Sequence, residues 1–496
     1  FDDIHERLVQ VTSLPGNEGA PIFGPDGEYL YFTTNNGSRA GREGTSDLMK
    51  VKWDGKEMSP LLSNTQVFRL HLDKSGKKLY MLSRGRVAST VLTKGRAEAQ
   101  PIAGKMMIDH QAERTHLLED GWNALRAGFY DPDFHGQDWP ALKEKYRPLL
   151  LAASTRQDFG MLYNEMLGQL NASHMGFRSF NQDEEVQQQR TGYLGIELDE
   201  EGRVSSILPE APADRSDSKL EIGDRIIAVN GQSIGEGDNL YAHLNGKAND
   251  RTQLTIVRNG SEQDLLIRPT SSVYGQRYEA WVQQRKALTE RYSGGKLGYI
   301  HIQGMNWNSF ERFERELTAA GLGKAGVVID VRYNGGGWTT DMLMTVLNVR
   351  QHAYTIPRGA AKSLQQNQQF IEHYPYGERL PQAALTKPSI ALCNEASYSN
   401  AEIFSHAFKH LGHGTLVGQP TFGAVISTGG HGLIDGSFVR MPFRAWYVKA
   451  TGENMEGGPA VPDIIVANAP GEKARDEDSQ LKKAVETLLQ EVEGKR

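Results

Sequence analysis

Ser399 lies in the segment Asn394-Glu395-Ala396-Ser397-Tyr398-Ser399-Asn400-Ala401-Glu402-Ile403-Phe404, between an apolar run and a helical pattern. A helix start offers unpaired N–H groups and the positive end of its dipole. That place suits a hydroxyl nucleophile whose product is an oxyanion, and it equally suits a plain N-cap, which serine favours. Gly335-Gly336-Gly337 follows a second apolar run. Three glycines let backbone N–H groups face a ligand with no side chain intervening. A phosphate loop is excluded, because Trp338-Thr339 follows where Gly-Lys-Ser/Thr is needed, and the GxGxxG spacing of a dinucleotide site is absent. An oxyanion hole or a tight turn remains. His174 follows Ser173 at the end of a helical stretch, where a lone histidine is by default structural. His406, His410 and His413 have helical spacing but no carboxylate in an HExxH arrangement, so no metal is expected there. Nothing else requires a metal or organic cofactor.

The chain that must position these groups has 496 residues, a prior of roughly three domains. Its net charge of −6 argues against a general nucleic-acid binder, and 38% hydrophobic with 23% charged residues is an ordinary globular mix. No apolar run is long enough for a membrane-spanning helix. The single cysteine, Cys393, excludes an intrachain disulfide. The first residue is Phe1, so the sequence is expected to be a piece of a longer protein, with any signal peptide out of sight.

The pattern changes several times along the chain. Gly24-Pro25-Asp26-Gly27-Glu28-Tyr29-Leu30-Tyr31-Phe32 returns as Asp73-Lys74-Ser75-Gly76-Lys77-Lys78-Leu79-Tyr80-Met81, a period of 49 residues. Turns followed by short strands at that period suggest β-propeller blades, about two of them, with a small β-sandwich as the alternative. Two blades cannot close a ring, so further blades are expected ahead of Phe1. From Ala112 the period is helical: Leu118, Trp122, Leu125 and Phe129 share a face. Asp138 with Pro140 starts a second helix, and Thr155 caps a third. A polar linker over 183–190 leads to a unit of about 80 residues, marked by Gly192-Tyr193-Leu194-Gly195-Ile196 and Gly223-Asp224-Arg225-Ile226-Ile227-Ala228-Val229-Asn230-Gly231. Asn230-Gly231 and Asn259-Gly260 follow apolar runs and read as hairpin turns. From Lys296 strands and helices alternate, which implies a sheet with helices on its faces.

The unit over 191–272 resembles a PDZ domain. That resemblance implies that the backbone of Tyr193, Leu194 and Gly195 receives a peptide carboxylate and that a strand edge takes the peptide by β-augmentation. The order of helical region, Ser-His, PDZ, Arg332-Tyr333-Asn334-Gly335-Gly336-Gly337, strand–Ser–helix and a late glutamate before Pro462-Asp463 resembles the C-terminal-processing peptidase family. A propeller in front narrows it to the tricorn type. The implied fold is multidomain: a partial β-propeller over 1–108, a helical subdomain over 109–181, a PDZ-like β domain over 191–272, and an α/β crotonase/Clp-like catalytic core over 273–496.

The resemblance implies a serine endopeptidase acting on peptides or unfolded chains. Ser399 matches the nucleophile, His174 the base, Ser173 the serine beside it, and Glu456 the glutamate of the tetrad. The N–H groups of Gly336 and Asn400 match the oxyanion hole. Asn400 stands where the tricorn pattern has aspartate, and Pro459 departs from the usual pattern after Glu456, which leaves Glu453 as the alternative. His174 would take the Ser399 proton, two N–H donors would hold the alkoxide, and the other imidazole nitrogen must be held in one tautomer. A homo-oligomer, a hexamer by resemblance, and a cytoplasmic location are implied, although many relatives in the wider family are exported. The other readings are a catalytically silent peptide-binding scaffold and a crotonase-like acyl-CoA enzyme. An α/β-hydrolase is disfavoured because no GxSxG surrounds Ser399.

Overall fold

The computed structural model describes residues 8–35, 46–93, 95–102, 104–179, 189–235, 237–349, 356, 385 and 387–494. It divides into two compact units, Phe1–Asp109 and His110–Arg496.

The first unit is two successive four-stranded antiparallel sheets. One runs β1 (Glu18–Phe23), β2 (Tyr29–Thr34), β3 (Ser46–Lys52) and β4 (Ser59–Thr65); the other runs β5 (Val67–Leu72), β6 (Lys78–Ser83), β7 (Arg86–Val91) and β8 (Glu98–Ala99). The repeat in sequence is a repeat in structure. Gly27 and Gly76 both sit at φ +70° in the turns before β2 and β6, a conformation that glycine adopts without strain. Tyr31, Leu48 and Leu62 of the first sheet share a core with Leu79, Met81 and Ala88 of the second.

The second unit begins with α1 (His110–Gly128), α2 (Trp139–Ala152) and α3 (Arg156–Gly168). Asp138 accepts the Ala141 N–H at 2.9 Å, and Thr155 with Asp158 forms a capping box. Leu118, Trp122, Leu125 and Phe129 are all buried, with Trp122 stacked on Trp139 at 6.0 Å. The strand β9 (Gly176–Arg178) follows.

The PDZ-like part holds β10 (Ile196–Leu198), β11 (Val204–Ile207), β12 (Arg225–Val229), β13 (Gln232–Ser233), α4 (Leu240–His243), β14 (Thr252–Arg258) and β15 (Ser261–Ile267). Both Asn-Gly pairs have positive φ at both residues: 48° and 77° at Asn230-Gly231, 51° and 80° at Asn259-Gly260. That is the twist a two-residue hairpin needs.

A long helix, α5 (Tyr274–Ser293), leads into the core. It was not foreseen from the sequence, because its buried face mixes Val282 and Leu288 with Arg285, Thr289 and Ser293. The core sheet is five parallel strands, β16 (Leu297–His301), β17 (Gly326–Asp330), β18 (Ser389–Cys393), β19 (Leu416–Gly418) and β22 (Ile464–Ile465), in that spatial order. Side chains alternate between faces along a strand. Val327 and Ile329 meet α6 (Trp307–Gly321), α7 (Thr340–Leu347) and α8 (Asn400–His410), while Val328 meets α5 and α9 (Ser479–Glu493).

The helical region is stitched to this core by a separate three-stranded sheet. In it β21 (Phe438–Ala445) pairs with β20 (Ile426–Gly432) on one side and with β9 on the other. Val439 enters the helical core beside Phe177. This sheet is what carries the residues just before β9 onto the end of β18. Among the described residues no helix is long and apolar enough to cross a membrane.

Candidate active site

Ser399 sits six residues beyond β18, directly before α8, at φ 57° and ψ −118°. A non-glycine residue at positive φ is strained, and the sharp turn lifts the side chain off the sheet edge. The strain is held by neighbours. The Ser399 N–H donates to Glu402 Oε1 at 3.0 Å, and the Tyr398 N–H donates to Asn334 O at 2.9 Å. Glu402 is fully buried and also accepts from Thr421 Oγ1 at 2.7 Å and the Ala424 N–H at 2.9 Å. Its carboxylate fixes the turn as one half of a capping box with Ser399.

The hydroxyl meets histidine. Ser399 Oγ lies 2.8 Å from His174 Nε2, and His174 Nδ1 lies 2.7 Å from Ser173 Oγ. Ser173 Oγ donates to Glu456 Oε2 at 2.8 Å, and the Ser173 N–H donates to Glu456 Oε1 at 2.7 Å. The Val425 N–H holds the same carboxylate at 3.0 Å. These contacts dictate proton positions. Glu456 only accepts, so Ser173 gives it its hydrogen and is left to accept from His174 Nδ1–H. Nε2 then carries the lone pair that faces Ser399. His174 is buried, and burial first, then the nearby Arg440 cation, lowers its pKa to about 4. The imidazole is therefore a free base at neutral pH.

The glycine loop packs against the serine turn. A Cβ on Gly336 would lie 2.7 Å from Ser399 Cβ and 2.9 Å from the Asn400 nitrogen, and the residue has φ +87°. Only glycine fits. Its N–H, expected as an oxyanion donor, bonds Asn334 Oδ1 at 2.9 Å. This is an Asx-type turn, in which a side-chain carbonyl takes the N–H two residues on. The Asn400 N–H opens α8, where no intrahelical acceptor exists. Asn400 spends its side chain on the Thr340 N–H at 3.0 Å, so the amide in place of an aspartate ties α8 to α7 without adding charge.

The sequence-predicted residues thus fall into two groups. Ser399, His174, Ser173 and Glu456 form one hydrogen-bonded chain, with Gly336 and Asn400 beside it. Glu453 is not in that chain; its Oε2 accepts from Thr451. Tyr193, Leu194 and Gly195 lie in the PDZ-like part, where Leu194 enters the core and Tyr193 is exposed. The Tyr193 N–H is committed to Thr270 O at 2.7 Å. Gly195, at φ +80°, leaves 2.2 Å between a Cβ there and Ala211 Cβ, so glycine is required. His406 and His410 stack at 6.1 Å, and His406 Nε2 lies 3.2 Å from Gly458 O. Among the described residues no cluster of three or more His, Cys, Asp or Glu side chains is arranged to hold a metal ion.

Sequence reasoning missed Tyr398. Its ring stacks on His174 at 4.7 Å, and its hydroxyl lies 3.2 Å from Nδ1. Its position next to Ser399 was the available signal. It also missed Asn334 and Arg440, whose roles depend on folded geometry.

Comparison with known proteins bears on the whole arrangement. The Peptidase family S41 model matches residues 296–466, the Tricorn protease C1 domain matches 110–168, and the PDZ domain matches 180–256. The tricorn protease of Thermoplasma volcanium is 25% identical over 90% of this chain and 43% of its own length. That of Thermoplasma acidophilum is 26% identical over 99% of this chain and 46% of its own length. The matched C1 domain and these relatives are those of the tricorn protease family. The fold agrees: a crystal structure of the tricorn protease superposes with a TM-score of 0.77 at 22% identity, covering 94% of this chain and 46% of that one. The chain therefore spans less than half the length of these tricorn proteases. As in the family's domain set, it carries the C1 region, the PDZ domain and the S41 core of a serine peptidase, after N-terminal antiparallel sheets.

Proposed function

We propose that the chain hydrolyses peptide bonds in peptides or unfolded polypeptides, with Ser399 as nucleophile. The observation that carries this reading is the unbroken chain Glu456–Ser173–His174–Ser399 ending at the start of α8. Ser399 Oγ attacks the scissile carbonyl while its proton passes to His174 Nε2. The imidazolium is supported through Ser173 by Glu456, which does not take the proton itself. The alkoxide faces the Asn400 N–H, and the Gly336 N–H joins once it turns or forks away from Asn334. Each such donor contributes roughly 100- to 1000-fold in rate. His174 then gives its proton to the leaving amine, an acyl-enzyme remains on Ser399, and water hydrolyses it by the same relay in reverse.

The two N-terminal sheets are read as propeller blades and, with the PDZ part, as governing substrate access. The Leu194 and Gly195 N–H groups are the donors left to receive a peptide carboxylate there. A homo-oligomer, a hexamer by family resemblance, completes the reading, and light scattering tests that part. The direct test of the chemistry is a fluorophosphonate probe. Labelling of Ser399 that is lost in His174→Ala is expected; equal labelling of Ser399→Ala would sink the serine mechanism.

A further inference from the structure

The sheet β20–β21–β9 carries a feature outside this relay. Arg440 lies opposite Gly176 in the β21–β9 ladder, two residues from His174, and Phe438 lies opposite Arg178. Partners in a ladder share a face, as do residues two apart on a strand. Arg440, Phe438 and Arg178 therefore stand on one face, while Val439 and Phe177 point into the helical core on the other. Arg440 is half-buried, and its Nη2 and Nε donate to Thr428 Oγ1 at 3.1 and 3.3 Å. Neither arginine forms an ion pair among the described residues.

The carboxylates nearby are already satisfied. Glu456 is held by Ser173 and Val425, and Glu402 by Ser399, Thr421, Gly423 and Ala424. Yet Arg440 is close enough to bias His174 electrostatically, and burial, with Arg178 adding to it, holds its own pKa below the ordinary arginine value. Tyr333, Trp338 and Phe422 flank the serine and the glycine loop as exposed aromatic side chains, and Glu395, four residues before Ser399, is an exposed carboxylate that a bound anion must avoid. A partly desolvated guanidinium bonded only to a neutral hydroxyl, with a second arginine beside it, favours an anion. Its fork matches a carboxylate in two-point geometry.

We propose that Arg440, supported by Arg178, is a specificity-determining subsite that takes a carboxylate of the peptide being cleaved. The carboxylate is an acidic side chain near the scissile bond or the peptide's free C-terminus. The inference rests on the serine-peptidase reading of the same cleft.

Three peptides of one sequence test it: one with a glutamate near the scissile bond and an amidated end, one with glutamine there and a free C-terminus, and one with glutamine and an amidated end. The parent chain is expected to favour a carboxylate peptide over the neutral one by about 10- to 100-fold in kcat/KM, the range of a hydrogen bond to a charged group. Arg440→Gln erases that preference, Arg440→Lys keeps part of it, and Arg178→Gln weakens it. Which carboxylate peptide carries the preference identifies the source. The same peptides titrated into Ser399→Ala protein, with and without Arg440→Gln, read binding without turnover. Labelling of Ser399 with no charge preference in turnover or binding overturns the subsite and leaves the peptidase reading standing. Charge-dependent binding lost with Arg440, in a chain whose Ser399 never labels, supports the subsite and overturns the peptidase reading. A preference that survives Arg440→Gln overturns the assignment to this residue.

Discussion

Arg332 and Ser399 head two polar clusters in the same α/β unit, and the two are wired in opposite ways. Arg332 is 1% exposed, and its Nε, Nη1 and Nη2 all find acceptors on Asp330, Asp478 and Gln480. Asp330 also accepts from Tyr299, and Asp478 from Arg285. That cluster is closed, with every partner sealed under α5 and α9. The Ser399 cluster is open. It starts at a carboxylate held by three donors and runs in single file to a hydroxyl at a strained turn. Closure gives stability and leaves nothing free to react. An open end costs strain, and it leaves one group poised. Arg440 belongs to the open kind, a cation with no carboxylate partner among the described residues.

The contrast can be broken from either side. The largest effect is expected from Ser399→Ala: turnover of an unstructured polypeptide should fall by roughly 10⁴-fold or more, with the thermal midpoint unmoved. Equal turnover by variant and parent would remove the open cluster from the chemistry. Next comes Arg332→Leu, which strands Asp330 and Asp478 without a cation. A urea melt should show a loss of about 3–5 kcal/mol. An unchanged midpoint would mean that the closed cluster carries no stability.

Glu456→Gln should lower kcat by about 10²- to 10⁴-fold, since replacing the carboxylate that fixes the histidine tautomer costs up to about 10⁴. Glu453→Gln should not; the reverse outcome would move the relay to Glu453. The smallest expected effect is in pH dependence. His174 has a pKa near 4, below the ordinary 6.5, so it stays a free base as pH falls until about 4. The acid limb of kcat/KM should lie there. Removing the Arg440 cation makes protonation easier, so Arg440→Gln should move the limb to higher pH. A limb at 6.5 in the parent would mean that water reaches the imidazole.

Parts of this were readable before any coordinates. A strand, a serine and a helix in succession mark the Ser399 turn, and periodicity alone places α1 to α3, because capping and apolar spacing are local. The glycine loop was legible as a close approach, but which N–H faces what was not: Asn334 takes the Gly336 N–H through a side chain whose rotamer no spacing encodes. The helix α5 escaped because its buried face holds Arg285, which pairs with Asp478 far along the chain, and Thr289, whose hydroxyl donates to the Arg285 carbonyl. β20 escaped because Gly429, Gly430 and Gly432 mask the alternation of a strand, and β21 because Pro442 interrupts its run. With that sheet unseen, nothing could bring Arg440 next to His174. Glu456 was reachable only by resemblance, since its bonds to Ser173 span 283 residues.

That span has a consequence for how the molecule is made. His174 and Ser399 are 225 residues apart, and Glu456 comes later still. Synthesis runs from the N-terminus, and domains fold as they emerge. A growing chain that has just exposed Ser399 still lacks β21, which docks β9, and lacks the carboxylate that orients His174. Its serine has no aligned base until nearly all of the catalytic unit has left the ribosome. The order of residues along the chain thus makes the run Glu456–Ser173–His174–Ser399 one of the last features that can assemble.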